Sequence, residues 1–138
     1  MKRIISLLTL VIALGSVTRA ADVAFITNPQ GGDAALSAGD LKAVLLGNKT
    51  KWNSGGLVKL AVLESGPLHE QVVQDNTQRS ADQFDKFWKK LVFTGKGVPP
   101  ATAADEAAML DYVAKTPGAL GYVSAGAVTD KVKVLEIQ

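Results

Sequence analysis

One short stretch of this chain combines residue types and spacing that could do chemistry: Glu64-Ser65-Gly66-Pro67-Leu68-His69. It follows the apolar run Leu57–Leu63 and opens a segment with Leu68, Val72 and Val73 at helical spacing. A helix that starts directly after a buried strand presents free backbone N–H groups and a partial positive charge. With a serine hydroxyl beside them, such groups make a cradle for a small oxyanion. The contacts would be the Ser65 hydroxyl and the N–H groups of Gly66, Leu68 and His69. Two features oppose this: Pro67 lacks an N–H, and Glu64 places negative charge beside an incoming anion. The plainer alternative is that Ser65 only caps the helix.

His69 is the sole histidine, four residues after Ser65 and so on the same helical face. A Ser–His pair is raw material for nucleophilic catalysis, but no oxyanion-hole signature or third, orienting group accompanies it. The preferred reading is a solvent-exposed histidine in the first helical turn, and no catalytic residue is assigned. The carboxylates Asp82, Asp85, Asp105 and Glu106 fall in first turns of expected helices, where the helix dipole already accounts for them. One histidine and no cysteine give no transition-metal site and no thiolate chemistry, and no cofactor is expected. Lys86, Lys89 and Lys90 read as a solvated helix face.

The elements that must position this stretch are well punctuated. Val23–Ile26 reads as a buried strand stopped by Asn28-Pro29. Ser37 reads as the cap of a helix through Leu41, Val44, Leu45 and Leu46, ended by Gly47-Asn48. Trp52 is expected to pack over the end of that helix. Leu57–Leu63 reads as a strand covered on both faces. Ser80 and Gln83 form a capping box for a helix whose inner stripe is Ala81, Phe84, Phe87, Trp88, Leu91 and Val92. Thr102 is expected to cap a helix over 103–115, ended by Pro117-Gly118. Leu120–Val123 and Val132–Ile137 read as the closing strands. Alternating strands and helices predict an α/β domain with a mostly parallel sheet flanked by helices on both faces.

The start of the chain reads differently. Lys2 and Arg3 precede a mostly apolar Ile4–Val17, and Thr18-Arg19-Ala20 suits a cleavage site, so residues 1–20 are expected to be a secretory leader. The expected mature domain is residues 21–138, located in the periplasm or outside the cell. Its basic count drops from 15 to 12 with the loss of Lys2, Arg3 and Arg19, against 13 acids, a net charge of −1. Such a balance speaks against nucleic-acid binding, which needs clustered Lys and Arg. Without cysteines the fold must stand on its core alone.

Leu41–Trp52 (LKAVLLGNKTKW), the Ser65-Gly66 junction, Trp88, the Gly95-Lys-Gly97 turn and Thr116–Tyr122 (TPGALGY) come in a familiar order. From about Val23 to Val134 the chain resembles the phosphate-binding proteins of ABC transporters, which are type II periplasmic binding proteins with two lobes closing on a ligand. The resemblance covers one lobe, the one inserted between the two segments of the other. In the family that lobe supplies a Ser-Gly-Thr run at a helix N-terminus and an arginine just upstream. Ser65 and Gly66 match the first two positions, Pro67 replaces the threonine, and no arginine lies between Leu57 and Ser65. The resemblance implies a single lobe that recognises phosphate or another oxyanion and hands it to a membrane transporter, porin or sensor. The alternative is a periplasmic protein-interaction module that kept the scaffold and lost the ligand.

Overall fold

Val-Ala-Phe-Ile-Thr joins β-branched and aromatic side chains in one run and forms the first strand, β1 (Val23–Thr27). A computed structural model of the chain describes residues 22–138, so the expected leader and its cleavage point lie outside the described residues. The other elements are β2 (Ala35–Leu36), α1 (Ala38–Leu45), β3 (Lys59–Leu63), α2 (Pro67–Thr77) and α3 (Ala81–Phe93). They are followed by β4 (Ala101–Ala103), α4 (Glu106–Lys115), β5 (Ala119–Ser124), β6 (Lys133–Val134) and β7 (Glu136–Ile137).

The main sheet has the order β4-β3-β5-β1-β6. Four of its five strands run in one direction, because β3 pairs in parallel with β4 and β5 while β1 is antiparallel to both β5 and β6. The expected mostly parallel sheet is present, with β1 as its one reversed strand. Helices cover both faces, as the side-chain alternation of β5 makes plain. At Gly121 an added Cβ would sit 2.6 Å from Met109 Sδ and 3.0 Å from Val113 Cγ2, so α4 rests directly on that face. The next residue, Tyr122, points the other way and meets α2.

Two corrections concern the chain's later part. Thr102 caps nothing, since it lies in β4, which pairs Ala101, Thr102 and Ala103 with Ala61, Val62 and Leu63. The cap of α4 is Asp105, whose carboxylate accepts the Ala108 N–H at 2.8 Å. The expected closing strand Val132–Ile137 is two strands. Leu135 N–H donates to Phe25 O at 2.8 Å and Glu136 N–H to Ala34 O at 3.1 Å, so the chain leaves β1 there and joins β2. β2 and β7 form a small parallel sheet of their own.

The other caps agree with the sequence reading. Ser37 accepts the Asp40 N–H, and Ser80 and Gln83 complete a reciprocal capping box. Trp52 is core, and its indole N–H donates to Gly118 O at 3.1 Å, tying the loop after α1 to the turn before β5. Gly118 is required there: its φ is +79° and an added Cβ would lie 2.7 Å from Leu57 O. Asn28 joins the end of β1 to α4 by donating to the carbonyls of Val113 and Ala114 in its last turn. The residues that carry the resemblance are thus largely the joints of the scaffold. On α3 the inner stripe ends earlier than expected, because Val92 is exposed.

Candidate functional site

β3 ends at Leu63, and Glu64-Ser65-Gly66 turns the chain into α2 at the carboxyl end of the parallel strands, where open α/β sheets place ligands. Gly66 makes the turn with φ +107° and ψ 168°, a conformation that side chains disfavour. It is also the N-cap, and as a glycine it supplies no side-chain capping bond to α2. The alternative reading of Ser65 as that cap is therefore corrected. A residue must occupy the N-cap itself to reach the N2 and N3 donors, and Ser65 is one position too early. The Ser65 hydroxyl is exposed, and the N–H groups of Leu68 and His69 have no protein acceptor among the described residues.

His69 is not exposed but buried, at 6% of its open surface. With Val72, Val73 and Thr77 it forms the inward stripe of α2, so helical periodicity overrides its polarity. Its Nδ1 lies 2.5 Å from the Tyr122 hydroxyl, which also accepts the Leu63 N–H at 2.9 Å. The hydroxyl oxygen accepts from Leu63 and shares its other hydrogen bond with His69 Nδ1, in a direction set by the imidazole tautomer. Phe84 meets the ring edge-on at 6.0 Å. Burial pushes the His69 pKa below its usual value, against the pull of Glu70 and Asp85. Burial likewise pushes the Tyr122 phenol far up, so it keeps its proton.

The structure thus brings Ser65, Gly66, Leu68 and His69 onto one helix start, which borders an open groove of about 540 Å³. The groove is mainly apolar, with Val62, Phe84, Trp88 and Phe93 in its lining, while Glu64, Glu70 and Asp85 supply carboxylates. Asp85 is paired with Lys89 at 2.8 Å. No hydrogen bond joins Ser65 to His69, whose Nδ1 is taken by Tyr122, so the relay that a serine nucleophile needs is not assembled. Among the described residues no group of three His, Asp or Glu could hold a metal ion. Sequence reasoning missed the Tyr122–His69 pair. Its signal was a tyrosine inside the apolar run Leu120–Val123, since a buried phenol needs a partner.

A family model described as a PBP superfamily domain matches residues 20–136, nearly all of the described chain. The chain belongs to that superfamily. This PBP-superfamily lobe is similar in fold to an ABC-type phosphate transport receptor from Vibrio cholerae, with a TM-score of 0.65 at 15% identity. It is also similar to a protein from Clostridium perfringens described as a phosphate ABC transporter substrate-binding protein with bound phosphate, at TM-score 0.67 and 18% identity. PstS from Borrelia burgdorferi matches at TM-score 0.65 and 14% identity. These matches cover 85–86% of this chain but only 45–47% of those chains, so the PBP-superfamily domain here spans less than half their length. No curated protein sequence matches significantly.

Proposed function

We propose that this chain is an exported, solute-binding-like lobe that recognises phosphate or a related oxyanion weakly at the start of α2. What carries the reading is the N-terminus there, with two N–H groups that have no protein acceptor among the described residues and an exposed serine, at the carboxyl end of a parallel strand. The family supports it, because relatives in fold are phosphate receptors of ABC transporters. An anion held by one lobe stays facing water, where charge contacts count for little, so the expected dissociation constant is no tighter than about millimolar. A membrane transporter, porin or sensor is the proposed recipient.

Calorimetric titration of the mature protein with inorganic phosphate tests this. Ser65→Ala removes one donor to a charged ligand, worth about 1.5–3 kcal/mol, and should weaken binding roughly tenfold to a hundredfold. Glu64→Gln should strengthen it by removing a like charge. Micromolar binding by a demonstrated monomer would contradict the single-lobe argument.

A second reading, the protein-interaction module, is favoured by the apolar groove and by Phe93 beside it, which is 92% exposed. Indifference to phosphate together with recovery of a specific protein partner that Phe93→Ser abolishes would select it.

Export itself is checked by the intact mass of secreted material. We expect it to begin at Ala21, and retention of residues 1–20 would refute the leader. Among the described residues no helix is long and apolar enough to cross a membrane.

A further inference from the structure

A second cavity, of about 400 Å³, lies at the opposite ends of the strands, where β3 starts at Lys59 and β4 at Ala101. Trp88, Pro99 and Pro100 line both this cavity and the groove beside Ser65, so they form a wall between the two. Their charges are opposite. Glu64, Glu70 and Asp85 outnumber Lys89 around the groove, whereas Lys49, Lys59 and Lys96 border the second cavity and, among the described residues, no carboxylate does. Lys49 donates to Asn53 Oδ1 at 2.7 Å and makes no ion pair among the described residues, with the Asp33 carboxylate as its nearby counter-charge. Lys59 and Lys96 make no ion pair among the described residues, although Lys86, Lys89 and Lys115 each have one. Between these cations the lining is apolar: Leu57, which is 61% exposed, with Trp88 and Tyr112.

A cavity of this size fits a small organic ligand. Cations bordering an apolar floor suit an anion with an apolar body, whose head meets the lysines while its body covers Leu57. We propose that this cavity binds a small organic anion, a carboxylate or sulfonate with a flat or aliphatic body, its charged head among Lys49, Lys59 and Lys96. Inorganic phosphate lacks the apolar body, and the site is separate from the start of α2.

An amide-resolved NMR titration with naphthalene sulfonate tests this, with inorganic phosphate titrated separately. The sulfonate should give saturable shifts at Leu57–Leu60, Lys96, Gly97 and Ala101, and its affinity should fall as salt is added. The variant Lys59→Gln/Lys96→Gln should fold normally, because both side chains are exposed, and should bind roughly tenfold more weakly. Neutral naphthol should bind far less well than the sulfonate. Shifts confined to Ser65–Glu70 and Phe84–Phe93, equal binding of naphthol, or an unaffected lysine variant would each overturn the proposal. Phosphate shifts at Ser65–His69 speak only to the α2 site, so the two readings fail independently.

Discussion

Trp88→Ala should destabilise the protein by about 3–5 kcal/mol in urea or thermal unfolding, the usual range for truncating a large buried side chain. Only 9% of Trp88 is exposed, and its indole N–H donates to Leu45 O at 3.0 Å near the end of α1. Its ring packs so closely on two loops that a Cβ at Gly47 would lie 2.9 Å from it and one at Gly97 would lie 3.3 Å away. The substitution thus opens a void between α3, the end of α1 and the 95–100 connection, and leaves a carbonyl unpaired. Neighbours that close cannot fill it without moving both loops. Near-normal stability, with only ligand or partner binding lost, would show that Trp88 serves a site and not the core.

Tyr122→Phe should cost about 2–6 kcal/mol, because it strands two buried polar groups, each worth about 1–3 kcal/mol. These are the Leu63 N–H and His69 Nδ1, both bonded to the one hydroxyl. The burial of His69 sets a pH dependence. The folded pKa of His69 lies below its ordinary 6.5, so the unfolded chain takes up this proton first as pH falls. Stability from this group is full above about 6.5, declines below it, and levels off once pH passes the lowered folded value. Melting temperature should therefore fall from pH 7 to 5 in the natural protein and fall less in His69→Gln. Equal slopes would mean that His69 titrates alike in both states and that the buried pair is not maintained in solution.

Much of the frame was legible before the fold was known, for reasons that are local. Ser37 and Ser80 cap because their hydroxyls reach an N–H three residues on, and that geometry is fully specified within one turn of chain. The stripe through Phe84 and Trp88 needs only the helical period to declare itself. β4 was illegible because it has three residues and exists through its pairing with β3, whose partners lie 40 positions away (Ala61 with Ala101, for example). With β4 unseen, Thr102 looked like the better cap, although Asp105 held the position one residue before the helical period begins.

At the candidate site the division is similar. That Ser65-Gly66 joins an apolar strand to a helix follows from local sequence, since strand composition, glycine and proline all act over a few residues. Long-range packing sets the rest: Gly66, not Ser65, holds the cap position, His69 turns inward, and Tyr122 takes its Nδ1. Those outcomes depend on which face of α2 the sheet covers, and on a hydroxyl 53 residues away. The opposite charges of the two cavities were equally hidden. Lys96 is far in sequence from Lys49 and Lys59, and a shared field arises only where folding brings isolated charges around one apolar hollow.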